Sequence, residues 1–207
     1  MKNVKVIGLG EAGYWIGKVL KSSNEFLSLD VSLSVCDVSI NTLSVASLEG
    51  LETCYLENVF MHGLGFMGNV DQGEAIFHEK NNSNIIEQIM EDYEKIVIYG
   101  ALDGGFSGGC LSYLSKKKMM DNKVHLYLVY PARFVHQRRI ENANRIIENI
   151  KNSGLEYTLF YMDDIIEKNY DYLKENDRLK MKEVCRLANE VVAKEILKDI
   201  NAFLEEK

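Results

Sequence analysis

Short apolar, β-branched runs alternate along this chain with stretches whose apolar residues recur every three to four positions. Val4-Lys5-Val6-Ile7 is too short for a helix and meets glycine at once, the pattern of a buried strand. Trp15, Ile16, Val19 and Leu20 then recur at helical spacing, so the first 22 residues read as strand, loop and helix. The same reasoning predicts strands at 31–35 (ending at Asp37), 53–61, 95–99, 124–130 and 157–162. Helices are predicted from Asn69-Val70-Asp71 through Phe77, from Ile85 to Met90, from Cys110 to Lys118 and from Val135 to Ile150, with Asn81-Asn82-Ser83-Asn84 as a turn. From Arg178 to Leu204 the positions Met181, Val184, Cys185, Ala188, Val191, Val192, Ile196 and Ile200 mark one face of a long helix uninterrupted by glycine or proline. Strands alternating with helices predict an α/β fold, a Rossmann-like three-layer sandwich with a mostly parallel sheet. Residues 1–177 would form the domain, and a long central helix at 178–207 would pack on it. Ligands of such folds bind at the carboxyl ends of the strands.

The glycines sharpen that expectation. There are 15 of them against one proline, Pro131, and 13 fall in three windows, Gly8 to Gly17, Gly63 to Gly73 and Gly100 to Gly109. Each window follows a predicted strand, so all three are expected at one edge of the sheet. Gly8-Leu9-Gly10-Glu11-Ala12-Gly13 fits G-x-G-x-x-G, where glycines permit a tight turn and backbone N–H groups reach a phosphate at a helix N-terminus. Alone the pattern fits a plain strand–helix turn as well as a dinucleotide site; Asp37, 24 residues beyond Gly13, stands close to where a ribose-binding acid would lie. The third window places five glycines in ten residues and predicts a nest of N–H donors for an anion, with Ser107 adding a hydroxyl. No lysine follows its last glycine, so it is not a Walker A loop.

A formal net charge of −7 argues against neutralising a DNA or RNA backbone but leaves acidic small molecules as ligands. Cys36, Cys54, Cys110 and Cys185 contain no C-x-x-C pair and read as reduced thiols of a cytoplasmic protein. No run approaches the ~20 apolar residues that span a bilayer, and the N-terminus enters its first strand without a leader-like segment. His62, His78, His125 and His136 lack metal-ligand spacing, and Lys116-Lys117-Lys118 reads as a solvated helix end. Arg133, Arg138, Arg139 and Arg145 form a local basic cluster interleaved with Glu141 and Glu148.

Five segments together resemble the tubulin/FtsZ family. Val4 to Ile16 is similar to its first phosphate loop, I-G-V-G-G-G-G-x-N-A. Gly63-Leu64-Gly65-Phe66-Met67-Gly68-Asn69-Val70-Asp71-Gln72-Gly73 resembles G-L-G-A-G-A-N-P-E-V-G, and Asp103-Gly104-Gly105-Phe106-Ser107-Gly108-Gly109 stands at the signature G-G-G-T-G-T-G. The run from Pro131 to Arg139 is similar to P-F-x-F-E-G-x-x-R, and Ala188-Asn189-Glu190-Val191-Val192 to A-N-D-V-L. The resemblance implies GTP or GDP as ligand. Gly8, Gly10, Glu11, Ala12 and Gly13, with Asp103 to Gly109, would hold its α- and β-phosphates; Gly68, Asn69 and their neighbours to Gly73 would sense the γ-phosphate. Arg139 would lie near the ribose, Trp15 near the base, and Glu190 would read N1–H and N2–H₂ of guanine. Glu11, Ala12 and Asp103 replace family glycines, which puts carboxylates near the phosphates and calls for Mg²⁺ between them. Phe106 replaces a threonine, Val135 the ribose-contacting glutamate and Met162 the asparagine near the sugar.

In the family the central helix leads to a loop whose acids activate water on the next subunit, and then to a second domain. Both are expected to be absent here, so hydrolysis would need a catalytic loop in trans. The function expected by resemblance is therefore a guanine-nucleotide-binding protein that associates with itself or with a filament-forming partner of cytoskeletal or cell-division type, without nucleic acid or membrane. An NAD(P)-binding oxidoreductase, resting on the first loop and Asp37, and a scaffold that has lost nucleotide remain the alternatives.

Overall fold

The computed structural model describes residues 3–58, 63–117, 123–175 and 181–206. The end of the third predicted strand, His62, Lys118 and the first turn of the predicted long helix lie outside these. In chain order the elements are β1 (Val4–Leu9), α1 (Gly10–Lys21), α2 (Asn24–Leu27), β2 (Val31–Asp37), α3 (Ile40–Leu48), β3 (Glu52–Tyr55), α4 (Val70–Ala75) and α5 (Lys80–Gln88). There follow β4 (Lys95–Ala101), α6 (Gly105–Lys117), β5 (Val124–Tyr130), α7 (Gln137–Ser153), β6 (Glu156–Tyr161), α8 (Met162–Lys168), α9 (Tyr170–Glu175) and α10 (Met181–Glu205).

The six strands are all parallel, in the order β3-β2-β1-β4-β5-β6. Because side chains alternate across a strand, one sheet sends Val4, Val6, Val97, Tyr99 and Tyr127 to one face and Ile7, Leu9, Ile96, Ile98 and Leu126 to the other. Ile16 and Leu20 of α1 and Val192, Ile196 and Ile200 of α10 cover the first face. Ile86 of α5, Leu111 and Leu114 of α6 and Ile146 and Ile150 of α7 cover the second. Burial on both faces is why the strands read as continuous apolar runs. The α10 face opposite its core stripe is polar, exposing Arg186, Glu190, Lys194 and Lys198.

Three local expectations are corrected. Asn81-Asn82-Ser83-Asn84 is helical, not a turn: Asn82 is buried, accepts from Glu57 N–H at 2.9 Å and donates to the Glu57 and Ile76 carbonyls at 2.8 and 3.0 Å, a role asparagine composition alone does not disclose. Met162 opens α8 instead of closing β6. The helix predicted from Cys110 begins at Gly105, so five residues of the third glycine window are helical. α3, absent from the sequence reading, is capped by Ser39, whose hydroxyl accepts from Thr42 N–H at 3.4 Å.

Candidate functional site

The strand order reverses between β1 and β4, and at such a switch point the crevice outside the carboxyl ends opens. β1 leads directly into α1 there, and β4 into α6 through a turn at Leu102–Gly104. Gly10 holds φ +68°, which a side chain would strain, and Leu9 at the N-cap offers α1 no side-chain acceptor. The leading N–H groups of α1 therefore face the crevice without a side-chain cap, the arrangement that suits an anion. Beside it, Asn69 N–H closes a turn on the Phe66 carbonyl at 2.8 Å, with Met67 (φ 48°) and Gly68 (φ 80°) left-handed at its centre. Asn69 then caps α4 through its side-chain oxygen on Gln72 N–H, 3.3 Å. A Cβ on Gly68 would stand 3.8 Å from the Asp103 carbonyl oxygen, which puts this turn on the rim of the same crevice.

Most of the glycines serve packing. Tyr99 occupies the space that side chains at Gly8 and Gly17 would need, 2.7 Å from its Cζ and 3.0 Å from its hydroxyl, and that hydroxyl donates to the Gly13 carbonyl. A Cβ on Gly13 would collide with the backbone of Gly8, so the pair lets α1 lie directly on β1. Gly73 and Gly109 bring α4 and α6 backbone to backbone: a Cβ on Gly73 would reach 2.8 Å from the Gly105 carbonyl carbon, and one on Gly109 2.6 Å from Gly73 Cα. Gly105 meets Phe66 Cβ at 2.6 Å and Gly108 the Leu102 carbonyl oxygen at 2.7 Å in the same sense. Phe106 is buried beside Phe77, ring centres 6.3 Å apart, and Ser107 turns its hydroxyl back onto the Ala101 carbonyl at 2.6 Å. The side chains of Phe106 and Ser107 thus face the protein and the Gly104 N–H donates to the Ala101 carbonyl at 3.3 Å, so the start of α6 would meet a ligand through backbone N–H groups from Gly105 onward.

Charge at the crevice is mixed. Asp103 is buried with its carboxylate 2.8 Å from Arg139 Nη2. Burial raises its pKa and Arg139 pulls it back. Glu11 is exposed in the first turn of α1, where the helix dipole favours an acid. Cys185, on α10, is half-buried, and its thiol is pushed up by burial and then by the Asp103 and Glu11 carboxylates, with Arg139 opposing. Cys185 packs against the apolar cluster of Ala132, Met162, Ile165 and Leu173. Arg139, expected near a ribose, pairs with Asp103 at the crevice. Glu190 is paired with Arg186, which also holds Glu183 at 2.7 Å. Trp15 is 39% exposed on α1, with Lys18 Nζ 5.5 Å from its ring centre. Asp37 is buried with its carboxylate accepting from the Val38 N–H at 2.7 Å, so it serves its own backbone at the approach to α3.

No family model and no curated relative matches the sequence. Solved structures do. CetZ from Methanosaeta thermophila superposes with a TM-score of 0.73 at 20% identity over 100% of this chain and 56% of that one. An empty FtsZ dimer from M. jannaschii gives 0.74 at 19% identity over 95% and 54%. The chain has the tubulin/FtsZ fold. A GTPγS-bound protofilament of CetZ2 from Haloferax volcanii also matches this FtsZ-like chain, at 0.72 and 20% identity over 95% and 57%. The chain spans little more than half the length of these structures, and at such identity the likeness is one of fold. Among the described residues of this FtsZ-like chain no group of three or more histidine, cysteine or acidic side chains is placed to hold a metal, and no helix is long and apolar enough to cross a membrane.

Proposed function

We propose that this chain binds a guanine nucleotide, GTP or GDP, at the β1–β4 crevice and acts by associating with itself or with a filament-forming partner. The observation that carries the reading is the convergence of the α1 and α6 N-termini at the switch point of a sheet shared with a GTPγS-bound protofilament protein. The phosphates would meet the N–H groups of Gly10, Glu11 and Ala12 and of Gly105, with Gly68 and Asn69 at the far rim. Glu11 and Asp103 fit a Mg²⁺-bound nucleotide better than a bare anion, since the cation offsets both carboxylates. Arg139 already neutralises Asp103 and would exchange it for phosphate. Reading guanine with Glu190 requires that carboxylate to leave Arg186, so base selection is expected to be weak. This reading assigns no water-activating residue to the chain; hydrolysis would draw on a partner in trans.

Trp15 is the only tryptophan, and its partial exposure on α1 makes its fluorescence a direct reporter. Titration with Mg-GTP, Mg-ATP and NADH should give a saturable change with GTP, a weaker one with ATP and none with NADH. A response to NADH alone would overturn the reading. Silence toward all three, repeated by calorimetry, would leave a scaffold that binds no nucleotide.

A further inference from the structure

Cys36 of β2 and Cys54 of β3 are partners in the parallel ladder. In-register neighbours on adjacent strands point to the same face and stand about 4.8 Å apart, inside the Cα separations of about 4.4–6.8 Å that a disulfide accepts. That face is the one covered by α5 and α6, where Cys36 lies in the core cluster and Cys54 packs against it. Access to them is graded. Among the described residues β3 is an edge strand paired with β2 alone, and Cys54 is partly exposed, whereas Cys36 and Cys110 are fully buried. The Cys36 thiol holds Cys54 below the usual thiol range against the opposing effect of burial, so Cys54 is also the better nucleophile.

We propose that Cys36 and Cys54 form a reversible dithiol–disulfide couple in which Cys54 reacts with a peroxide and Cys36 resolves the product. The Cys54 thiolate attacks one peroxide oxygen; the O–O bond breaks, Cys54 becomes a sulfenic acid, and the second oxygen leaves as hydroxide and takes up a proton. Cys36 sulfur then attacks the Cys54 sulfur, an S–S bond forms, the S–O bond breaks, and the hydroxyl departs as water with the Cys36 proton. Two thiols and one hydrogen peroxide give one disulfide and two waters. The bridge closes the segment carrying α3 and fastens β3 just before Leu56, whose N–H donates to the Asp37 carbonyl at 3.1 Å. Asn58 then donates to the Leu64 carbonyl at 3.1 Å, at the start of the loop that reaches the crevice rim.

The test uses the full chain exposed to equimolar hydrogen peroxide, alkylated and mapped by mass spectrometry without reduction. Expected are the loss of two hydrogens, a linked peptide pair containing Cys36 and Cys54, reversal by a dithiol, and a rise in Tm of roughly 6–12 °C from closing a loop of about 18 residues. In Cys36→Ala the unresolved Cys54 sulfenic acid should be trapped by dimedone, and Cys54→Ala should keep its buried thiols under the same exposure. A bridge through Cys110 or Cys185, no bridge at all, or equal dimedone trapping of Cys54 in the unaltered chain and in Cys36→Ala would overturn the proposal. Should Cys36→Ala fail to fold, the map of the unaltered chain and Cys54→Ala, on the sheet edge, still decide it.

Discussion

Gly73→Ala is the sharpest perturbation of the glycine windows, because it adds one methyl group where two helix backbones touch. The new Cβ would come to 2.8 Å from the Gly105 carbonyl carbon and closer still to its oxygen, and neither belongs to a side chain that can swing away. Contacts under 3.0 Å are not kept by real Cβ atoms, so α4 and α6 must part by about 1 Å. Parting them loosens Phe66, Val70, Phe77, Phe106 and Tyr113, all buried in one cluster over this contact. Overpacking costs about 1–3 kcal/mol, and the partial loss of packing around the aromatic rings brings the expected total to about 3–4 kcal/mol. For a domain of this size that lowers Tm by roughly 6–16 °C. Gly65→Ala is the control, since a Cβ there meets nothing within 4 Å and the backbone is not left-handed; it should leave Tm within about 2 °C. Circular-dichroism melts of the two variants check the reasoning. If Gly73→Ala melts with the unaltered chain, the glycines at the α4–α6 contact are not there for packing, and the assignment of the third window to helix contact fails with it.

Two further outcomes follow from the charges. Glu11→Gln removes a carboxylate expected about 7 Å from the bound phosphates, which at an effective dielectric of about 40–80 tightens nucleotide binding in EDTA about three- to eight-fold; unchanged affinity by calorimetry would place the phosphates elsewhere. It is a cleaner probe than any substitution at Gly105, where a Cβ already meets Phe66. Asp199 is pushed up by burial, but the ion pair with Lys95 at 2.8 Å and the hydrogen bond from Tyr127 outweigh this and hold its carboxyl below the usual range. Its contribution is therefore present above about pH 4 and lost as pH falls through its folded pKa. Asp199→Asn should cost about 1–2 kcal/mol at pH 7 in urea unfolding, with the deficit shrinking below pH ~4; a deficit that is constant with pH would refute the ion-pair account.

The strands were legible because burial on both faces makes each a continuous apolar run, and alternation with helices then dictates a parallel sheet. α3 was missed for a related reason: it buries Leu43 and Ala46 while leaving Ile40, Val45 and Leu48 exposed, so its periodicity is faint, and Ser39 at its cap is the one local signal. Parallel pairing of β2 with β3 demands a crossover between them, so the topology required what the pattern concealed. The glycine windows show the deeper limit. Sequence spacing shows that Gly8, Gly13, Gly73, Gly105 and Gly109 need room near their Cα atoms, but a phosphate, the ring of Tyr99 and another helix backbone all make that same demand. The partners lie up to 91 positions away along the chain, as Tyr99 does from Gly8, and a local motif carries no record of them. Charge behaves likewise. Glu11 and Asp103 read as two like charges opposing an anion, whereas Arg139, 36 residues beyond Asp103, neutralises one of them and leaves Glu11 as the exposed carboxylate at the crevice. On the proposed reading, Glu11 is the exposed carboxylate that an incoming phosphate would meet first, and the sign of the Glu11→Gln effect follows from the fold that brings Arg139 to Asp103.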